Sequence, residues 1–311
     1  MSAAAPPSAM QAAHQRYRWF PYALLLPALV VLVALTIFPL VFSLGVSLTG
    51  YGLGRAAGFV GPANYAQFLR DPSFWLALRN TLVITVFAVG IEIALGVCLA
   101  LLFRESLPGF RALSLLIFIP MMLSPLVIGF FWKFMFDSTF GVLAYVTTLL
   151  TGRTVSWLTS PPLALAAIIV VDTWQWTPFA FLLTLAGLQT VPPQLYEAAS
   201  LERASAWMRF RRITLPYLRF PLLLAVLFRT IDTVRIFDLV YIMTGGGPGD
   251  ATITLSVLAY RYGFQFYEVG RAAAVSWLIV VLINLLVMVL LSFMGKSGAA
   301  TARSTSSGRA R

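Results

Sequence analysis

Charge is what this chain has least of. Charged side chains make up 11% of its 311 residues, whereas 59% are hydrophobic. Soluble domains run at about 25% charge, so a soluble globule is excluded and an integral membrane protein is implied. Cysteine and histidine are almost missing: Cys98 lies inside an apolar run and His14 in the polar N-terminal stretch. One cysteine makes neither a disulfide framework nor a cysteine metal site. With no spaced His/Glu set and no Ser/His pair, a membrane-embedded enzyme has no machinery here. A phosphate-binding loop is missing too. The nearest stretch, Gly295-Lys296-Ser297, would need glycine at position 290, which is leucine, and no strand precedes it. If ATP drives this protein, another subunit binds it. The net charge of +11 does not indicate nucleic acid, because the basic residues sit at the edges of apolar segments and form no groove.

What is present is long apolar runs. A helix needs about 20 such residues to cross a bilayer, and spans are expected near 21–48, 80–103, 112–135, 163–188, 220–243 and 272–294. Unbroken apolar length favours helices over a barrel. The expected fold is therefore all-α and membrane-integral, with six transmembrane helices. The first run is too long for a signal-peptide core and has no clear cleavage site, so it reads as retained. Thirteen of the 22 Lys and Arg fall on the side of the termini and seven on the other. By the positive-inside rule both termini are cytoplasmic, in the cell membrane. The longer outer loops, 50–79, 136–161 and 244–270, carry Gly/Pro turn formers. Residues 1–19 and 295–311 read as cytoplasmic tails, the second as disordered. Residues 20–294 form one membrane domain without internal repeat or broken helix.

Between the fourth and fifth spans lies a polar, cationic island, with five arginines from Arg203 to Arg219. Its residues Glu197-Ala198-Ala199, Ala204 and Ile213-Thr214-Leu215-Pro216 resemble the signature loop of ABC importer membrane subunits. That pattern is Glu-Ala-Ala, two residues, Asp-Gly-Ala and, about nine residues on, Ile-x-Leu-Pro. The resemblance implies a coupling helix within 190–219 that docks into a cleft on a cytoplasmic ATPase, through Glu197, Ala198, Ala199, Glu202, Arg203 and Ala204. Small residues allow close approach, and Pro216 should push Leu215 out of helical geometry and give a turn before the next span. The bland reading is a basic interfacial helix lying on anionic membrane lipid. Glu202 replaces the pattern's Asp and Arg203 its Gly. If that glycine is left-handed, arginine costs roughly 1–2 kcal/mol there. Either the segment stays helical or a partner contact stabilises Arg203.

More of the chain is similar to carbohydrate permeases of the trehalose/maltose (MalF-like) type. The matching stretches are Phe59-Val60-Gly61-x-x-Asn64-Tyr65, Asp172-Thr173-Trp174-x-x-x-Pro178-Phe179, Leu185-Ala186-Gly187-Leu188, Phe228-Arg229-Thr230-x-Asp232-x-x-Arg235-Ile236-Phe237-Asp238 and Met243-Thr244-Gly245-Gly246-Gly247-Pro248. The resemblance implies a non-catalytic permease subunit of an ATP-driven importer, carrying a disaccharide such as trehalose or a maltose-like sugar. It implies a second, different permease, two ATPase subunits that hold ATP and Mg, an extracytoplasmic sugar-binding protein and no cofactor on this chain. Rival readings are an importer of a glycerophosphate-type solute and an ion-coupled secondary transporter.

Ionisable residues inside a bilayer are costly and read as functional by default. Asp172, Gln175, Trp176 and Phe179 share one helix face at i, i+3, i+4, i+7. They offer a carboxylate, an amide and aromatic surfaces of the kind that bind sugars. In similar permeases this part of the fourth span and the part of the fifth holding Asp232, Thr233, Arg235 and Ile236 line the cavity. Arg229, Asp232, Arg235 and Asp238 alternate in sign at spacing three. They read either as a buried ion ladder or as cavity groups, with Asp232 and Arg235 the deeper, solute-facing pair and Arg229 and Asp238 structural. Glu92, alone on the second span, reads as a structural hydrogen-bond partner. Gly129 and Pro125 can loosen the third span.

Overall fold

The computed structural model describes residues 20–54, 58–103 and 110–307, with side chains described up to 292 except those of 110–112. Residues 1–19 and the end of the C-terminal tail lie outside the described residues. Among those described there is no strand; Thr49 and Phe59 form an isolated bridge. In chain order the helices are α1 (Phe20–Leu32), α2 (Phe38–Ser47), α3 (Ala63–Arg70), α4 (Pro72–Leu102), α5 (Phe110–Met122), α6 (Pro125–Met135), α7 (Val142–Thr151) and α8 (Pro161–Gln189). There follow α9 (Pro193–Leu201), α10 (Ala206–Arg209), α11 (Leu215–Val234), α12 (Asp238–Met243), α13 (Leu255–Tyr260) and α14 (Val269–Ser307). A π-helical turn, Val33–Ile37, joins α1 to α2. Five long apolar helices can cross a membrane, and α5–α6 makes a sixth if the bent pair is one span.

Four expectations need correction. The third span is broken: α5 and α6 meet at 100° across Leu123 and Ser124. Pro125 starts α6 and holds Ser124 extended, at φ −64° and ψ 136°, since a residue before proline avoids the helical region. The fifth span ends at Val234, not 243; Arg235 closes α11 and a separate short helix begins at Asp238. Leu215 does not turn before Pro216. It stays helical at φ −60° and ψ −40°, and its N–H reaches the Phe210 carbonyl five residues back. The π-helical turn Phe210–Thr214 widens the helix just where proline offers no donor, so the spiral runs on from α10 into α11. Finally, α14 continues as helix through Ser307, into the tail expected to be disordered, although its apolar span ends at Ser292, close to the expected 294.

Around α4, α8 and α11 the core is built from side chains at helical spacing. Ala77, Ile84, Ala167, Ile168, Val171 and Val234 are buried together with Leu239, Met243, Ile253 and Val275. Close approach is bought by small residues. A Cβ at Gly96 would sit 2.6 Å from that of Ala180, so α4 and α8 nearly touch there. Asp71 caps α4 by accepting from the Ser73 N–H at 2.8 Å, and Pro72 fills its first turn. The 244–254 loop is fastened to α4. Asn80 donates to the carbonyls of Ala251 and Ile253, both at 3.0 Å, and the Thr81 hydroxyl accepts from Leu255 N–H at 3.0 Å. In contrast, α1 buries none of its residues. The first span joins the rest through α2, where Trp277 of α14 donates to Ser43 at 3.2 Å and Ser47 meets the Tyr65 hydroxyl at 2.6 Å.

Candidate functional site

Arg229 is the hub of a buried ion cluster. Its side chain is 2% exposed, yet all of its nitrogens are engaged. Nε and Nη2 donate to the two oxygens of Glu92 at 2.7 and 2.9 Å, a fork-to-fork pair. Nη2 also donates to Asp172 Oδ2 at 2.8 Å, and Nη1 to Asp232 Oδ2 at 2.7 Å. Its guanidinium carbon lies 4.6 Å from the Trp176 ring centre, a cation–π distance. Thus one cation fastens α4, α8 and α11 to one another. Glu92 is wholly buried and Asp172 nearly so. Removing one partner from such a buried set costs about 3–5 kcal/mol, because the others are left charged and unpaired.

The cluster is open at one end. The side chain of Asp232 is 48% exposed and that of Arg235 59%, 3.7 Å apart. Arg235 also donates from Nε to the Ile231 carbonyl at 3.2 Å. Thr233 points the other way, 1% exposed, with a buried hydroxyl that has no hydrogen-bond partner among the described residues. Ile236 packs against the core and its carbonyl accepts from Thr254 at 3.2 Å. Asp238 is exposed at the start of α12. So the stripe of alternating charges divides: Arg229 and Asp232 form a ladder with buried partners, Arg235 rims the open end, and Asp238 leaves on a different helix.

The four-residue face of α8 divides too. Asp172 and Trp176 turn to Arg229, and Phe179 meets Trp176 and Phe228 edge to face, both at 6.5 Å. Gln175, 1% exposed, reaches 3.5 Å to the Leu123 carbonyl at the break between α5 and α6. Trp174 stands on the far side against Trp132, at 5.4 Å. Missing from the sequence reading was the bond between Glu92 and Arg229. Two isolated opposite charges in separate spans were the available signal, but 137 residues separate them. Among the described residues no group of three or more His, Cys, Asp or Glu could hold a metal ion.

The polar island folds as α9, a turn, and α10. Glu197 and Ala198 are exposed on α9, Ala199 half-buried, and Glu202 and Arg203 exposed after it. The helix does not continue through Arg203, which takes φ +54°. Arg203 N–H meets the Ser200 carbonyl at 3.0 Å and Ala204 N–H the Ala199 carbonyl at 2.9 Å. This is the paired Schellman closure, whose left-handed position favours glycine. Ser205 then caps α10 through the Met208 N–H at 3.2 Å. The Tyr196 hydroxyl bonds the Thr214 hydroxyl at 2.9 Å, tying α9 to the foot of α11.

These features agree with what the chain is similar to. Residues 92–297 match the family of binding-protein-dependent transport system inner membrane components. The chain is 40% identical over 268 residues to a probable ABC transporter permease protein of Sinorhizobium fredii, covering 85% of each. It is 36% identical over 263 residues to the trehalose/maltose transport system permease protein of Thermococcus litoralis, covering 84% of this chain and 89% of that one. In three dimensions it resembles a bacterial ABC transporter involved in import of the acidic polysaccharide alginate, with a TM-score of 0.79 at 19% identity, over 92% of this chain and 99% of that one. The chain therefore belongs to the binding-protein-dependent inner membrane permeases, as an ABC importer subunit of the sugar-transport type. Permeases of this family are not themselves enzymes; ATP hydrolysis belongs to a separate subunit, which retires the ion-coupled reading.

Proposed function

We propose that this permease carries a disaccharide of the trehalose or maltose kind. It would pair with a second, different permease, receive sugar from an extracytoplasmic binding protein, and be driven by two ATPase subunits that hold ATP and Mg. Both termini and the loop 190–219 would face the cytoplasm. Exposed Glu197, Ala198, Glu202 and Arg203, with half-buried Ala199 and Ala204, would enter the ATPase cleft. The observation that carries this reading is that two sets of bonds meet on one helical run. Tyr196 of α9 bonds Thr214 at the foot of α11, and Arg229 of α11 bonds Glu92 on α4 and Asp172 on α8. Movement imposed on α9 would reach three spans together. Sugar hydroxyls would meet Asp232 and Arg235 at the open end. Trp176 and Phe179 would offer ring faces, and Asp172, Gln175, Thr233 and Ile236 would shape the wall behind them.

Glu197→Lys should abolish transport and substrate-stimulated ATP hydrolysis in the assembled complex while all subunits still express. Wild-type transport in that variant would refute the docking. A second solute class is favoured by one observation: the exposed cation Arg235 can meet a glycerophosphate-type anion. Competition of trehalose, maltose and glycerol phosphate for uptake, with and without Arg235→Gln, separates the two. A sugar carrier keeps its preference order in the variant, whereas an anion carrier loses glycerol phosphate selectively.

A further inference from the structure

At the end of α4 nearest the polar island a groove of about 540 Å³ opens toward α9 and α10. One wall is Val97, Cys98 and Leu101, the last turns of an apolar membrane span. The facing wall holds Trp207 and Phe210, whose rings stack at 5.7 Å, together with Arg209. Trp207 is 68% exposed, and Arg211 and Arg212 follow it, exposed, on the π-helical turn. No acidic side chain is among the described lining residues. The groove is thus apolar along the span, aromatic at its lip and cationic beyond. Tryptophan prefers the depth of the headgroups, and each basic residue near an anionic leaflet contributes attraction that falls off within a Debye length.

We propose that this groove seats one anionic phospholipid. Its acyl chain would lie along Val97 and Leu101, and its phosphate would meet Arg209. Tyr196 also lines the groove, and its hydroxyl makes the bond that ties α9 to α11. The lipid would therefore brace the foot of the proposed handle, and coupling would depend on the charge of the leaflet. Only the choice of leaflet rests on the orientation proposed above, so seating and sugar transport can fail separately.

Cys98 supplies the test, because it lines the groove, is exposed, and is the single cysteine of the chain. The transporter, purified with its co-expressed partners, is placed in nanodiscs of phosphatidylglycerol or of phosphatidylcholine. Labelling of Cys98 by a membrane-permeant maleimide is followed by mass spectrometry of its peptide. Labelling should be about fivefold slower in phosphatidylglycerol, and R209Q should remove most of that difference. R153Q, remote in sequence from the groove, should keep it. Equal wild-type rates in the two lipids, or protection that survives R209Q, overturn the proposal. So does equal protection by inorganic phosphate in phosphatidylcholine discs, which would mean a small-anion site. Protection in both lipids that vanishes when partner subunits are stripped away would mean that a protein fills the groove.

Discussion

Arg203 sits at φ +54° in a turn that glycine would fill without strain. The left-handed cost for a residue with a Cβ is about 1–2 kcal/mol, partly offset because glycine is freer in the unfolded chain. Arg203→Gly should thus stabilise the turn by about 1 kcal/mol, slowing hydrogen exchange of the Ala204 amide about fivefold. Faster exchange would mean that the arginine side chain itself holds the turn. The sequence offers both possible conformations here, a continuous helix or a left-handed turn. Backbone bonds from residues 203 and 204 back to 200 and 199 decide it. Arg229 presents the opposite case. Its charge is visible in the sequence, but its partners are not. Arg229→Met should lower the unfolding midpoint of the assembled complex by an amount worth about 3–5 kcal/mol. Adding Glu92→Gln and Asp172→Asn should recover stability, because no charge is then left buried alone. A triple variant less stable than the single one would deny that unpaired charge is the cause.

At the scale of elements, hydropathy locates every span but not its continuity. Both α5–α6 and α11–α12 read as single runs in hydropathy, although the helix breaks within each. The bend comes from the backbone: Pro125 forbids helix at Ser124, and Arg235 closes α11 with its N–H on the Asp232 and Thr233 carbonyls. At Leu215 the same proline rule misleads, since a π-helical turn absorbs the missing donor. A hydroxyl pair ties α9 to the foot of α11, which no spacing rule reveals. Tyr196→Phe removes it at a cost of about 1 kcal/mol. We expect ATP hydrolysis to persist while sugar moved per ATP falls, measured in proteoliposomes. Unchanged stoichiometry would mean that α9 is held by other contacts.

Across the whole molecule the Arg229 cluster makes α4, α8 and α11 one unit, flanked by breaks at 123–124 and 235–237. Spin labels at Leu102 and Gln189, on α4 and α8, should keep a single distance between nucleotide states, while a pair from Leu102 to Phe131 of α6 should shift. Two distances within the first pair would break the rigid unit. Some conclusions belong to the sequence alone: a membrane protein, the count of apolar runs, the lack of a phosphate-binding-loop pattern and the family signature at 197–216. Each depends on composition or local spacing, which burial does not alter. Tertiary structure decided the rest. It chose which charges neutralise which, where a span is broken, and that Asp172 faces Arg229 while Gln175 faces the α5–α6 break. These are contacts between residues far apart in the chain. Their energies arise only when helices approach closely enough to exclude water and lipid, as Gly96 against Ala180 allows α4 and α8 to do.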